Sequence, residues 1–323
     1  MSKTTPNTSQ TSESWDTYWQ GTSDLGAFAS GGVSHPAITS FWNEFFNSAK
    51  GHYNNPKIID IASGSGAVVE CAIEAFGEIP NELTSLDVSE AAIKNIHNRF
   101  PKVKGIVSNA RSIPAENGSF DIVTSQYGVE YAGHDAIFEA ARLVTNAGTL
   151  VLLMHCDSGY IHLECQQSLD AIKRTKTSNF IQLAIEMFDA GFKSIKGEDR
   201  QLYEQNALKL APAINELESI MRQYGSHVAG DTISRLYNDV GQIHQRMQHY
   251  EPKDVLAWLN AMSTELNAYE QRMSSMSLSA IDDTTFTQIT DDLKERGFTV
   301  VTADKLFVPN NELPMAWVLI ANK

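Results

Sequence analysis

The chain contains few cysteines, and their spacing argues against two kinds of site. Its 323 residues include three cysteines, Cys71, Cys156 and Cys165. None of them forms a CxxC pair or another spacing typical of zinc ligands. So little cysteine also argues against a disulfide-stapled secreted domain, and a reducing cytoplasm is the expected location. We therefore expect no metal site and no structural disulfide.

Long hydrophobic runs and clusters of basic residues are also missing. The longest apolar run, around residues 149–154, is far shorter than the roughly 20 residues that span a bilayer. The formal net charge is −14, from 39 acidic and 25 basic residues. A surface of this sign repels phosphate backbones and anionic membranes. These absences predict no nucleic-acid partner and no membrane partner, and they favour a small-molecule substrate.

The first part of the chain changes in composition. Residues 1–13 are rich in Ser, Thr, Asn and Gln and lack an apolar stretch, which predicts a flexible leader. Residues 14–51 combine aromatic residues with glycines. Pro36 suits the first turn of a helix, and the apolar residues after it have helical spacing: Ile38, Phe41, Trp42, Phe45 and Phe46. This part is predicted to be an N-terminal lid or helical segment.

Short apolar runs alternate with helical patterns between residues 52 and 157. Such runs, apolar on both faces and separated by helices, are typical of a parallel sheet built from βαβ units. The strands are predicted at Lys57–Ala62, Leu83–Asp87, Gly105–Val107, Ile122–Thr124 and Thr149–Met154, with helices at Val68–Phe76, Ser89–Arg99 and Ala136–Val144.

The pattern changes again after the fifth predicted strand. Over residues 158–282, strand signals disappear and long amphipathic patterns take their place: Leu163–Phe188, Tyr203–Tyr224, Thr232–Tyr250 and Pro252–Met273. The α/β pattern returns over residues 283–323, with helix Thr285–Arg296 and strands Phe298–Val308 and Ala316–Ala321. We therefore expect one α/β domain with a helical insertion, which forms either a substrate chamber or a dimer interface.

A loop with two glycines follows the first predicted strand. The segment runs from Asp60 through Ala62, Ser63 and Gly64 to Gly66. Glycines let the backbone approach a ligand closely, and the N-terminus of the next helix offers free N–H groups. The dinucleotide fingerprint needs a third glycine where this chain has Val69. The loop therefore indicates a nucleotide-like ligand and weakens the case for an NAD-dependent oxidoreductase.

An acidic residue, Asp87, ends the second predicted strand. A carboxylate at this point can accept both hydroxyl hydrogens of a ribose. Alternatively, Asp87 caps the helix that begins near Ser89. The glycine loop favours the ribose role.

Two further motifs complete an ordered set. Asn109 and Ala110 begin a polar-Ala-x-x-x-Pro turn, and Gly118 begins the sequence G-S-F-D-x-V. Over about residues 55–155 the chain resembles the class I, Rossmann-like methyltransferases that depend on S-adenosylmethionine. The resemblance implies a doubly wound α/β fold, a seven-stranded sheet with an antiparallel last strand, and S-adenosyl-L-methionine as cofactor.

The resemblance also implies roles for individual residues. Gln126 and Tyr127 would lie beside the reactive methyl group, Asp87 would bind the ribose, and Asn109 and Ala110 the adenine. The methionine part would be surrounded by Asp60, Ala62, Ser63, Gly64 and Gly66, and Val88 and Trp19 complete the expected cofactor-binding set. Two positions depart from the family: Ala62 replaces its first glycine and narrows the loop, and Asn109 replaces a frequent aspartate but keeps an acceptor oxygen.

The aromatic segment Trp15, Tyr18 and Trp19 resembles the lids of related small-molecule methyltransferases. Such a lid would exclude water during transfer from a sulfonium. Alternatively, these rings simply pack on the sheet.

The implied reaction is a single in-line displacement, in which the protein mainly aligns the reactants. A general base is needed only if the acceptor arrives protonated. His155 follows the fifth strand at the edge where α/β ligands bind, and it is the first candidate base, with Tyr127 and Glu130 nearby. Each could instead be a hydrogen-bonded structural residue. Two other functions stay open: a protein methyltransferase, and a non-catalytic S-adenosylmethionine-binding module with the helical block mediating assembly, for example as a homodimer.

Overall fold

The computed structural model describes residues 15–16, 19, 35–76, 82–309 and 311–323. The leader predicted over residues 1–13 lies outside the described residues, as do Tyr18 and residues 20–34 of the predicted lid segment. The chain divides into two compact units, of which the second comprises residues 164–274 and the first the remainder.

A seven-stranded sheet is the centre of the first unit. Its strand order is β3-β2-β1-β4-β5-β7-β6, with β7 antiparallel to both neighbours and the other pairs parallel. The predicted doubly wound, Rossmann-like sheet with its antiparallel last strand is thereby confirmed. The strands are β1 Lys57–Ile61, β2 Glu82–Asp87, β3 Lys104–Val107, β4 Phe120–Gln126, β5 Val144–Met154, β6 Thr299–Leu306 and β7 Ala316–Asn322.

The described part of the chain contains ten α-helices. They are α1 Pro36–Ala49, α2 Ala67–Phe76, α3 Glu90–Arg99, α4 His134–Arg142, α5 Tyr160–Thr177, α6 Phe180–Ile195, α7 Arg200–Tyr224, α8 Thr232–Gln245, α9 Pro252–Ser279 and α10 Asp283–Glu295. No helix within the described ranges has both the length and the apolarity needed to cross a membrane.

Helices cover both faces of the sheet in the first unit. Helices α4 and α10 pack together, and their apolar residues share one buried cluster with Ile59 of β1 and Leu150 of β5. Helices α1 and α2 pack on each other outside this cluster, with the rings of Phe46 and Phe76 6.4 Å apart. Because adjacent side chains of a strand point to opposite faces, β1 contributes to both layers.

The second unit contains α6, α7 and α8 with parts of α5 and α9. Its core is a continuous cluster of buried apolar side chains that includes Phe188, Leu217, Leu236 and Leu259. The insertion predicted over residues 158–282 begins and ends a turn or two outside this unit, because the first turn of α5 and the end of α9 group with the sheet.

Several predicted boundaries were wrong, among them the start of β5, which was predicted at Thr149 and lies at Val144. The single helix predicted over Leu163–Phe188 is two helices, because Asn179 adopts a left-handed φ of 57° and separates α5 from α6. Asparagine tolerates this conformation better than most residues. The helix predicted to end at Val144 ends at Arg142 instead, and Val144 already begins β5.

Candidate functional site

The candidate site lies where the strand order of the sheet reverses. From β1 the chain builds β2 and β3 on one side, while β4 and β5 lie on the other. In open α/β sheets, ligands bind outside the carboxyl ends of the strands at such a point. A pocket is found there, lined by Trp15, Trp19, Asp60, Ala62, Ser63, Gly64, Ser65, Ala67, Val68, Gln126, Tyr127, Tyr131 and Met276.

The glycine loop between β1 and α2 forms one wall of the pocket. Gly64 and Gly66 have φ values of 52° and 83°, a left-handed conformation that favours glycine. The N–H of Ser63 donates to the Leu86 carbonyl at 3.0 Å, and that of Gly66 donates to the Ser63 carbonyl at 2.8 Å. These bonds hold the loop against β2, with the N-terminus of α2 directly after it.

Ala62 adopts a backbone conformation in this loop that its residue type does not predict. Its φ is 55°, so it is left-handed despite its side chain. A Cβ built on Gly128 would come within 2.3 Å of the Ala62 Cβ. The missing side chain of Gly128 therefore makes room for the methyl group that the family's usual glycine lacks.

Asp87 ties the loop to the end of β2. Its Oδ2 accepts the N–H of Gly64 at 2.9 Å, and its Oδ1 accepts the N–H of Ser89 at 2.9 Å. Burial raises the pKa of the Asp87 carboxyl. The cap of α3 is Ser89, whose Oγ accepts the N–H of Ala92 at 3.2 Å. Ser89 therefore caps α3, and Asp87 binds the backbone of the glycine loop.

Asp60 is a buried carboxyl group at the centre of the site. It is 1% exposed, and its Oδ1 accepts a hydrogen bond from Thr124 Oγ1 at 2.8 Å. Burial raises the pKa of Asp60 to about 7, and the hydrogen bond from Thr124 only partly opposes this shift. Asp60 therefore changes charge near neutral pH.

We expect this shift to make Asp60 a pH-dependent element of stability. Below about pH 4 its carboxyl is protonated in both states. Between about pH 4 and pH 7 only the unfolded chain loses the proton. The contribution of Asp60 to the free energy of unfolding therefore falls until about pH 7 and then levels off. Chemical unfolding should show that the free energy of unfolding falls less between pH 5 and pH 8 for Asp60→Asn than for the wild type. Equal losses would contradict the assignment.

Gln126 and Tyr127 form the opposite wall, at the end of β4. The Gln126 amide oxygen accepts a hydrogen bond from the buried Trp42 indole N–H, which fixes the orientation of the amide. Tyr127 has a left-handed φ of 51°, and its hydroxyl donates to the Met315 carbonyl at 3.2 Å. Burial raises the pKa of Tyr127 well above its usual value. Its phenol is therefore poorly suited to accept a proton from a substrate.

Glu130 and His155 form a buried pair that does not line the pocket. Glu130 Oε1 accepts the backbone N–H of His155 at 2.9 Å and lies 2.7 Å from His155 Nδ1. The His155 ring contacts Tyr127 and Tyr131, at centroid distances of 4.5 Å and 5.4 Å. The pair therefore reaches the pocket through two tyrosine rings, and direct catalysis by Glu130 or His155 stays a prediction.

Trp15 and Trp19 lie over the glycine loop. The Trp19 ring comes within 2.8 Å of where a Cβ on Gly64 would stand. Trp15 stacks on Trp19 at 6.5 Å and on Tyr131 at 5.7 Å. The Asn95 side-chain amide donates to the Trp19 carbonyl at 2.9 Å and anchors the segment on α3. The cavity between these rings and the loop is about 50 Å³, far below the volume of a typical cofactor site.

Five residues of the expected cofactor-binding set are not among those that line the pocket: Gly66, Asp87, Val88, Asn109 and Ala110. Val88 is 41% exposed, and Ala110 is buried. The Asn109 side-chain oxygen accepts the N–H of Arg111 at 2.9 Å, which leaves one lone pair for another donor. Conversely, Met276 near the end of α9 lines the pocket, although nothing in the sequence distinguishes it from a core methionine.

Within the described part of the chain, no group of three or more His, Cys, Asp or Glu residues is placed to hold a metal ion.

Part of the chain is similar to a known protein family. Residues 58–148 match the family model described as a methyltransferase domain. This stretch contains the glycine loop, Asp87 and the end of β4. By this match, residues 58–148 form a methyltransferase domain.

Relatives of this methyltransferase domain share only part of their length with the chain. Over 102 residues it is 30% identical to the ubiquinone/menaquinone biosynthesis C-methyltransferase UbiE of Campylobacter jejuni, covering 30% of this chain and 43% of that protein. It is 27% identical over 195 residues to an uncharacterized methyltransferase of Schizosaccharomyces pombe, and the match covers 59% of this chain and 72% of that protein. The geranyl diphosphate C-methyltransferase of Streptomyces coelicolor is a structural neighbour, with 18% identity and a TM-score of 0.35. The match covers 45% of this chain and 65% of that chain.

Proposed function

We propose that the chain is a methyltransferase that transfers a methyl group from S-adenosyl-L-methionine to a small-molecule acceptor. One observation carries this proposal: the glycine loop, held to Asp87 at 2.9 Å, faces Gln126 and Tyr127 across one pocket at the switch point of the sheet. The names of relatives such as the Campylobacter jejuni C-methyltransferase support a small acceptor molecule.

The residues fit the cofactor. Two glycines in a left-handed conformation shape the loop without side chains, and the Asp87 carboxylate keeps lone pairs free beyond its two amide bonds. Asp87 would hold the ribose, and Asp60 with the loop from Ala62 to Gly66 would surround the methionine part. When bound, S-adenosylmethionine supplies a methyl group on a positively charged sulfur.

The rest of the pocket aligns the acceptor and excludes water. Four aromatic rings line it, from Trp15, Trp19, Tyr127 and Tyr131, while no Lys or Arg is among its described lining residues. Such a pocket supplies no counter-charge for an anion, so we propose an uncharged or cationic acceptor. Glu130 and His155 would position the two tyrosines.

Methyl-labelled S-adenosylmethionine tests the proposal when the protein is incubated with a cell extract and the products are separated by size. Label in the small-molecule fraction supports the proposal and provides a product to identify. Label on macromolecules would instead favour a protein methyltransferase. Calorimetric cofactor binding without any transfer would favour the non-catalytic module, in which the helical block mediates assembly.

The role of Asp87 gives a specific expectation. Asp87→Ala should weaken cofactor binding by about 1–3 kcal/mol, because a charged hydrogen-bond acceptor is lost. Isothermal titration calorimetry with S-adenosylhomocysteine measures this effect. Asp87→Asn keeps one oxygen for the Gly64 N–H and is the matched control, with a smaller expected loss. Unchanged affinity in both variants would remove Asp87 from the site.

Trp15 and Trp19 give a second specific expectation, about the rate of cofactor binding. The cavity of about 50 Å³ is small for a cofactor, so we expect Trp15 and Trp19, which lie over the glycine loop, to move when one enters. We expect cofactor binding to change tryptophan fluorescence, and Trp15→Ala to accelerate association in stopped-flow experiments. Trp258→Ala on α9 removes another tryptophan outside the pocket and serves as control. An unchanged association rate for Trp15→Ala would favour simple packing of these rings.

A further inference from the structure

The helical second unit contains a separate cavity of about 490 Å³ between α6, α7 and α8. This volume lies within the range of small-molecule sites in proteins. Its floor is apolar and buried, with Phe180, Met187, Leu210 and Val240 contributing side chains from all three helices. These side chains belong to the core of the unit, and the cavity opens to the surface between the three helices.

The rim of this cavity is polar but carries no formal charge. Asn238, Gln242 and Gln245 of α8 supply amide groups, and His244 Nε2 shares a hydrogen bond of 2.7 Å with Tyr203. No Asp, Glu, Lys or Arg is among the described residues that line it, in a chain whose net charge is −14. A lining of this kind suits an uncharged ligand with an apolar body and a hydrogen-bonding end.

Gly241 shows that the space is maintained at a cost to the helix. It lies inside α8 and lines the cavity. Glycine weakens a helix interior relative to alanine, so its presence usually reflects close packing. Here a Cβ would meet no atom of the described residues within 4 Å. Packing therefore does not require glycine, and the missing side chain leaves the cavity open.

We propose that this cavity binds an uncharged, largely apolar small molecule, at a site distinct from the methyltransferase pocket. The apolar floor would bury its body, and the amides of α8 would bind its polar end. The proposal is independent of which acceptor the methyltransferase domain uses, because every residue that carries it belongs to the second unit.

Nile red, an uncharged fluorescent dye, is a suitable probe for the full-length protein. We expect saturable binding that 1-decanol displaces more effectively than decanoate, because the cavity offers no cation for a carboxylate. Gly241→Leu should place an apolar side chain inside the cavity and weaken dye binding about tenfold or more. Gly241→Ala should raise the melting temperature and weaken binding less, which shows that loss of binding does not come from unfolding.

Asp239→Leu adds the same side chain to α8 at a position outside the cavity lining and should leave dye binding unchanged. Three results would overturn the proposal. Gly241→Leu could bind the dye as well as the wild type, or saturating S-adenosylhomocysteine could abolish binding, which would place the dye in the cofactor pocket. Conversion of a dimer to a monomer by Gly241→Leu in light scattering would identify a second copy of the chain as the occupant.

Discussion

Replacing Glu130 with alanine is expected to lower the free energy of unfolding by about 3–5 kcal/mol, because it breaks a buried polar pair. Glu130 is 3% exposed and His155 is 1% exposed. One carboxylate oxygen accepts both the backbone N–H and the ring of His155, so alanine would leave two buried groups without their acceptor. Urea unfolding followed by circular dichroism measures the loss.

Two further variants separate structural from catalytic roles of this pair. Glu130→Gln keeps an oxygen for the His155 N–H, so its expected loss is only about 1–2 kcal/mol. The double variant Glu130→Met with His155→Leu removes both polar groups and should recover part of the stability lost in Glu130→Ala. If Glu130→Gln instead stays stable but loses all methyl transfer, a direct catalytic role follows and our positioning role is wrong.

The second carboxylate oxygen of Glu130 is a reason to test this residue for a role in the reaction. Its Oε2 is buried and accepts no hydrogen bond from the described residues. A buried polar atom without a partner destabilises the fold, and such atoms concentrate where function requires them. Full transfer activity in Glu130→Gln would show that this oxygen is not needed for the reaction.

The sheet could be predicted from sequence because its signals are local. Strands β1 to β5 are short apolar runs separated by helical patterns, and right-handed βαβ units then determine their order. The break between α5 and α6 could not be predicted in the same way. It depends on the conformation of Asn179 within a continuous amphipathic pattern, and no glycine or proline marks it.

The motifs that predict the candidate site are local in the same way. The glycine loop and Asp87 are contiguous motifs, and the structure places them in hydrogen-bond contact. Trp42 and Met276 come from distant parts of the chain, and neither residue type indicates its role. The departure at Ala62 is visible in the sequence, but its contact with Gly128 is not, because only the folded loop brings the two residues together.

Replacing Gly128 with alanine is expected to destabilise the protein by about 3 kcal/mol, at the upper end of the cost of overpacking. The new Cβ would lie 2.3 Å from the Ala62 Cβ, which is closer than two carbon atoms that are not bonded to each other can approach. Relief requires movement of either the glycine loop or the chain after β4, and both line the cofactor pocket. Cofactor affinity should therefore fall together with the melting temperature, as calorimetry and thermal unfolding would show.

A double-mutant cycle with Ala62→Gly tests whether this contact is the cause. Ala62→Gly alone should change stability by no more than about 1 kcal/mol, because relief of its left-handed φ offsets the greater flexibility of glycine. Combined with Gly128→Ala it removes the clashing methyl group, and a coupling of about 1–3 kcal/mol is expected. The nearest remaining atom, the Ala62 carbonyl oxygen at 3.3 Å, would still limit the recovery. Additive effects of the two substitutions would mean that Gly128 is needed for its own backbone conformation. A positive coupling in both stability and cofactor affinity would show that Gly128 compensates for Ala62 in the cofactor loop.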